Sequence, residues 1–168
     1  EYGGKSESPN KVDFEVKRGG GGGFNDIAGM DELKTYLNQR VIFVIKNKEK
    51  IEKYKLTPPN GLLLYGPPGC GKTTIAEAFA SSMGVKYVKL NAVTSNKKDL
   101  ETAINECKLF DEAFIIMDEV HRLNKDKQDI LLPYVEDGTI YLLGCTTQNP
   151  YMVINKAIRS RTHLLEVK

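Results

Sequence analysis

The sequence predicts an α/β fold, a three-layer sandwich in which helices cover both faces of a five-stranded parallel sheet. Three observations carry that expectation. Short apolar runs of strand length alternate with stretches whose apolar residues recur at helical spacing. One run, Ala113-Phe114-Ile115-Ile116-Met117, lacks any polar alternation, as a strand buried on both faces requires. Between the first run and the helix after it lies Gly66-Pro67-Pro68-Gly69-Cys70-Gly71-Lys72-Thr73, the G-x-x-x-x-G-K-[ST] pattern of a phosphate-wrapping loop. At 168 residues the chain fits one domain with a real core.

Taken in order, residues 1–18 are polar and broken by Gly3-Gly4 and Pro9, so a mobile tail is expected; only 12–16 alternates like a strand. The glycine run 19–23 reads as a flexible tether, either natural low complexity or an introduced linker. Residues 24–168 then form the nucleotide-binding unit. A helix is expected over 30–45 from the spacing of Leu33, Leu37, Val41 and Val44, followed by a lysine- and glutamate-rich solvated helix over 46–55. Thr57-Pro58-Pro59-Asn60 breaks that pattern before the first strand, 61–65. The remaining strands are expected at 85–90, 113–117, 139–145 and 163–167, with helices at 74–83, 98–109 and 125–135. Strands alternating with helices in this way give a doubly wound sheet.

The phosphate loop makes each residue type mechanical. Gly66, Gly69 and Gly71 let backbone N–H groups curl around phosphate without a Cβ in the way; Pro67, Pro68 and Cys70 complete the turn. Lys72 reaches the β/γ-phosphates, Thr73 offers its hydroxyl to Mg²⁺, and Thr74 opens a helix whose N-terminus faces the anion. An apolar strand ending in Asp118-Glu119 brings carboxylates to the same sheet edge. There Asp118 is expected to hold Mg²⁺ and Glu119 to deprotonate the water that attacks the γ-phosphate. Together they favour hydrolysis of the bound nucleotide over phosphorylation of a second substrate. Thr146-Thr147-Gln148-Asn149 ends the fourth strand, with Thr147 the expected γ-phosphate-sensing residue and Asn149-Pro150 a turn signal. Arg159-Ser160-Arg161 precedes the last strand, where an arginine can neutralise charge on a neighbouring subunit's nucleotide.

Composition is nearly silent about partners. A net charge of +2 gives no argument for nucleic acid, and Arg122, Lys125 and Lys127 form the one local cluster to test for DNA contact. Cys70, Cys107 and Cys145 have no C-x-x-C spacing, which fits a reducing cytoplasmic or nuclear interior. His121 and His163 lack metal-ligand spacing and read as structural or solvent-facing. No apolar run reaches membrane-spanning length, and no secretory signal is recognisable, so no membrane partner is expected.

With these residues in hand, the stretch 24–168 resembles the AAA+ ATPase core, the large subdomain of a P-loop NTPase. Phe24-Asn25-Asp26-Ile27-Ala28-Gly29-Met30-Asp31-Glu32-Leu33-Lys34 and Pro58-Pro59-Asn60-Gly61-Leu62-Leu63-Leu64-Tyr65-Gly66-Pro67-Pro68-Gly69 resemble the unfoldase branch of proteasomal and cell-division-cycle ATPases. That resemblance implies that Asp26, Ile27, Ala28 and Gly29 lie beside adenine. Met117-Asp118-Glu119-Val120-His121-Arg122-Leu123-Asn124-Lys125, Leu132-Pro133-Tyr134-Val135-Glu136-Asp137-Gly138 and Thr146-Thr147-Gln148-Asn149-Pro150 instead resemble the replication-associated recombination ATPase and Werner-helicase-interacting protein family, relatives of clamp loaders. It implies Lys72 and Thr73 as Walker A, Asp118 and Glu119 as Walker B, Thr147 as sensor 1, and Arg161, within Ser160-Arg161-Thr162, as an arginine finger acting in trans in a homo-oligomer. The aromatic pore loop of protein unfoldases is missing after the second strand. The helical lid, with its sensor 2 arginine, is expected to be absent too, which implies weak hydrolysis. The expected function is Mg²⁺-dependent ATP hydrolysis of the DNA replication or recombination type. Its alternatives are a protein-remodelling ATPase and a truncated or assembled nucleotide-binding module, a chimera of the two branches, with little turnover.

Overall fold

The computed structural model describes residues 17–18, 31–42, 47–55, 60–110 and 113–167. The glycine run, the segment Asp26 to Gly29 and the Thr57-Pro58-Pro59 break lie outside the described residues. Five parallel strands build the sheet: β2 (Gly61–Tyr65), β3 (Lys86–Asn91), β4 (Ala113–Asp118), β5 (Tyr141–Thr146) and β6 (His163–Glu166). A two-residue strand, β1 (Lys17–Arg18), pairs antiparallel with β3 through Lys17–Tyr87 and Arg18–Lys86. It extends the expected five strands to the order β1-β3-β4-β5-β2-β6 and lies at the end of the segment expected to be a tail.

The core strands are apolar throughout because both of their faces are covered. Leu62 and Leu64 of β2, Phe114 and Ile116 of β4, and Tyr141, Leu143 and Cys145 of β5 bury one layer together with Ile75, Ala76, Phe79 and Ala80. Those last four belong to α3 (Lys72–Met83). The intervening residues Leu63, Ile115, Met117 and Leu142 turn to the other face. There they meet Leu100, Ala103 and Ile104 of α4 (Lys97–Cys107) and Leu131 and Val135 of α5 (Lys125–Glu136). Period-two alternation thus survives in the packing although polarity does not record it.

Short polar side chains start the helices. Asn96 accepts from the Asp99 amide at 2.9 Å and Asp99 returns the bond to the Asn96 amide, a reciprocal cap that starts α4. Asn124 caps α5 by accepting from Lys127 N–H. The helix expected over 30–45 is found as α1 (Asp31–Tyr36) passing into a π-helical turn, Leu37–Ile42, whose first residue, Leu37, is fully buried. The solvated helix is α2 (Lys48–Lys53). Two further helices, α6 (Pro150–Val153) and α7 (Lys156–Ser160), lie where only the Asn149-Pro150 turn signal was expected. Asn149 and Pro150 serve both readings, since Asn149 caps α6 and Pro150 sits at a first helical position suited to its fixed φ; Asn155 caps α7. No helix among the described residues is long and apolar enough to cross a membrane.

Ile115, fully buried at the sheet centre, has no room to relax, so Ile115→Ala is expected to lower stability by about 2–5 kcal/mol. Urea unfolding at constant m-value checks this; a loss under about 1 kcal/mol would contradict the two-sided burial. Burial also pushes the thiols of Cys107 and Cys145 up to about 12, while Cys70 lies half-buried in the phosphate loop. Iodoacetamide at pH 8 should therefore label the native chain once, at Cys70, and the urea-unfolded chain at all three positions. Rapid native labelling of Cys145 would show an open core.

Candidate active site

Parallel pairing brings three strand ends level. Tyr65 of β2 stands opposite Thr146 of β5, Met117 of β4 opposite Gly144, and Asn91 of β3 opposite Asp118. Because β5 lies between β2 and β4, the loop leaving β2 and the carboxylate ending β4 flank one strand end.

The loop leaving β2 is locked where it starts. Gly66 has φ +150°, and a Cβ there would fall 2.0 Å from the Val167 carbonyl oxygen, so a side chain at Gly66 is sterically excluded. Its amide donates to Thr146 O at 3.3 Å, and Val167 N–H donates to Tyr65 O at 2.7 Å, fixing the loop between β5 and β6. Gly71, at φ 73°, is the left-handed residue from which α3 departs. The helix begins at Lys72, two residues before its expected start, which puts Lys72, Thr73 and Thr74 in its first turn. Their free amides and the helix dipole make that end suited to an anion. Pro67, Pro68, Gly69 and Gly71 are exposed, leaving the loop open on its outer side.

Lys72 is 8% exposed, and its ammonium folds back to donate to Gly66 O at 3.0 Å and Pro67 O at 2.7 Å. These partners are neutral carbonyls, which satisfy the donors without balancing a buried positive charge. A polyphosphate fits that deficit, and the chain's own residues fit Mg²⁺ as well. Thr73 follows Lys72 in the first turn of α3 and has a hydroxyl oxygen to offer a hard cation; the Asp118 carboxylate at the end of β4 is the second oxygen donor.

Buried Cys145 lies on β5, between the two flanking strands. Burial raises its thiol most and the Asp118 charge raises it further; the Lys72 charge, the Thr73 hydrogen bond and the Lys89 charge oppose them.

Asp118 ends β4, and its Oδ1 accepts the Glu119 amide at 3.1 Å. Glu119 then adopts a left-handed conformation, φ 54°, which costs a non-glycine residue about 1 kcal/mol. It opens the single turn Val120–Arg122. Val120 lies over β5, where a Cβ at Gly144 would fall 2.5 Å from Leu63 Cδ2 and 3.3 Å from Val120 Cγ1, so the missing side chain makes room first for the β2 leucine and then for the turn. The turn carries His121 against Glu119 and Thr146, a buried bridge rather than a solvent-facing ring. The sequence signal for it was slight: a histidine two residues past the strand-end glutamate, with nothing to indicate Thr146 across the turn.

The other candidates separate. Thr147 is exposed just beyond the end of β5. Arg159 is held in the fold, donating to Ile154 O at 3.1 Å and lying over the Tyr151 ring. Arg161 caps the end of α7, and its carbonyl accepts from Asn60 N–H ahead of β2. It therefore stands at the amino edge of the sheet, a strand length of roughly 16 Å from Gly66. Of the basic cluster, Arg122 and Lys125 are exposed, but Lys127 donates to Ser95 O at 2.8 Å and serves the fold.

Comparison with known proteins agrees with this geometry. Residues 62–167, well over half the chain, match the family described as ATPase family associated with various cellular activities (AAA). The chain is 55% identical over 109 residues to replication-associated recombination protein A of Bacillus subtilis, covering 65% of this chain and 26% of that protein. It is 37% identical over 143 residues to ATPase WRNIP1 of Dictyostelium discoideum, covering 82% of this chain and 16% of the relative. A third similarity, 47% over 76 residues, is to the outer mitochondrial transmembrane helix translocase of Bos taurus, covering 45% of this chain and 21% of the relative. The chain thus spans about a quarter or less of the length of these relatives. Among solved structures, the FIGL-1 AAA domain in complex with ADP superposes with a TM-score of 0.76 at 23% identity, covering 95% of this chain and 60% of that one. A structure of katanin, described for its self-assembly, gives 0.69 at 23% identity, covering 86% and 52%. The fold, the phosphate loop at its carboxyl edge and the extent of the family match lead to one conclusion: the chain belongs to the AAA family of ATPases.

Proposed function

We propose that this chain binds ATP with Mg²⁺ at the carboxyl edge of its sheet and hydrolyses it within a homo-oligomer, as the core of a DNA replication or recombination ATPase. The observation that carries the reading is the parallel register that sets the loop after β2 and Asp118 at the end of β4 on either side of β5, with the buried Lys72 ammonium on the Gly66 and Pro67 carbonyls. In this reading residues Gly66 to Thr74 wrap the phosphates with backbone amides, and Lys72 leaves the Gly66 and Pro67 carbonyls for β/γ oxygens. Asp26, Ile27, Ala28 and Gly29 lie beside adenine. Thr73 and Asp118 hold Mg²⁺, which when bound neutralises phosphate charge. The Glu119 carboxylate takes the proton of the attacking water, and Thr147 reads the γ-phosphate.

Arg161 serves a neighbouring subunit. A guanidinium at the amino edge of the sheet is too distant for its own loop, so it contributes only across an interface. Support for the DNA branch comes from similarity to replication-associated recombination protein A and WRNIP1, with Arg122 and Lys125 as the exposed cations available to phosphate. The shorter similarity to a transmembrane helix translocase favours a second reading, protein remodelling.

ATP binding and phosphate release, measured across protein concentration, test this. Lys72→Ala should weaken binding about 10- to 100-fold, the loss of a charged hydrogen-bond set. Glu119→Gln should bind ATP but lose about 10²- to 10⁴-fold in turnover. Turnover per chain should rise on self-association and stay flat in Arg161→Ala. Stimulation by DNA supports the replication reading and stimulation by unfolded polypeptide the second; tight binding without phosphate release would make the chain a nucleotide-binding module. Unchanged binding in Lys72→Ala would remove the phosphate-loop assignment.

A further inference from the structure

The turn after β4 builds a buried polar chain. His121 has a ring only 6% exposed, with Nε2 3.2 Å from Glu119 Oε2 and Nδ1 2.8 Å from Thr146 Oγ1. Thr146 Oγ1 in turn accepts from the Gln148 amide at 3.0 Å. Counting hydrogens selects one arrangement. The Thr146 oxygen can accept twice, but its one hydroxyl hydrogen needs an acceptor, and of its two partners Gln148 N–H is a donor. Nδ1 is the partner that can take that hydrogen, which makes Nδ1 the ring's acceptor. The ring proton sits on Nε2 and is donated to Glu119. The opposite tautomer would set an imidazole lone pair against a carboxylate oxygen.

We propose that His121 is a positioning residue for Glu119, and that Thr146 sets its tautomer. The inference rests on the reading of Glu119 as the base for the attacking water. The Nε2–H of the imidazole ties down Oε2 and leaves Oε1 as the oxygen to meet water, in a side chain that is itself 41% exposed and otherwise free to swing. Left-handed backbone at Glu119 aims the carboxylate, and the histidine fixes it. Because Gln148 N–H closes the chain, the orientation of Glu119 is linked to the loop after β5 that carries Thr147. A shift of that loop which withdraws Gln148 frees Thr146 and loosens the hold on Glu119.

Positioning predicts a loss in turnover without a loss in binding. His121→Ala should lower kcat for ATP about 10- to 100-fold, the usual cost of losing such an orienting partner, with KM and the affinity for a fluorescent ATP analogue unchanged. His121→Gln, whose amide N–H reaches as Nε2 does, should recover part of that loss. Thr146→Val should fall in the same direction, and combining it with His121→Ala should add nothing further. Lys72→Ala and Glu119→Gln run alongside. If they lose binding and turnover respectively while His121→Ala keeps wild-type kcat, the positioning role fails and the active-site reading stands. If Lys72→Ala binds normally, the active-site reading itself fails, and this inference with it. The ¹⁵N NMR spectrum of the unmodified full chain needs no turnover. A His121 ring protonated on Nε2 supports the proposal, and one protonated on Nδ1 alone overturns it.

Discussion

The candidate site depends on β5 lying between β2 and β4 in parallel register. Parallel strands run to a common edge, so whatever follows β2 and whatever ends β4 must emerge at one level. With Tyr65 opposite Thr146 and Met117 opposite Gly144, the strand between them also sets their spacing. The loop that carries Lys72 and the Asp118 carboxylate then flank the end of β5. A one-residue slip of β4 would invert its faces, sending Ile115 and Met117 toward α3. The apolar layers that hold the register therefore also fix the polar edge, and the core need contribute no residue to the chemistry to determine it.

Conformational strain gathers at that edge. Gly66, Gly71 and Glu119 all take left-handed backbone within a few residues of the strand ends, and the sheet beneath them over-determines their positions. Glycine removes the cost at the first two. Glu119 has no such freedom, and its conformation is held by the turn that Val120 anchors over Gly144 and that His121 ties to Thr146. Packing and polar bonding thus act on the same turn from opposite sides, one from the core and one from the site.

Much of this was legible in the sequence because it was written locally. The phosphate loop is a contiguous pattern, and the run Ala113 to Met117 announces burial on both faces without further context. Asp118 follows as the residue at which that run ends. What stayed hidden depends on contacts distant along the chain. His121 meets Thr146 across 25 residues, and no spacing rule connects them. Asn149-Pro150 reads as a turn signal, yet Asn149 caps a helix, and only packing of Ile154 and Ile158 into the core decides between the two outcomes. Lys127 looked like part of a basic cluster, but its partner, the Ser95 carbonyl, comes from the loop after β3.

The two edges of the sheet carry complementary halves of one electrostatic problem. At the carboxyl edge, Lys72 is the buried cation aimed into the phosphate loop, and its present partners are carbonyls that a polyphosphate would displace. On the proposed reading, a loop that gathers several negative charges beside Asp118 and Glu119 would call for positive charge beyond one lysine and a metal ion as charge migrates in the transition state. Arg161 has the right chemistry but stands a strand length away, joined to the start of β2 through Asn60. No rotamer of a side chain about 7 Å long closes a gap of roughly 16 Å. The sheet that brings Lys72 and Asp118 together is what keeps Arg161 from them. On this geometry a site that uses Arg161 is completed by a second copy, making turnover a property of the assembly more than of the chain.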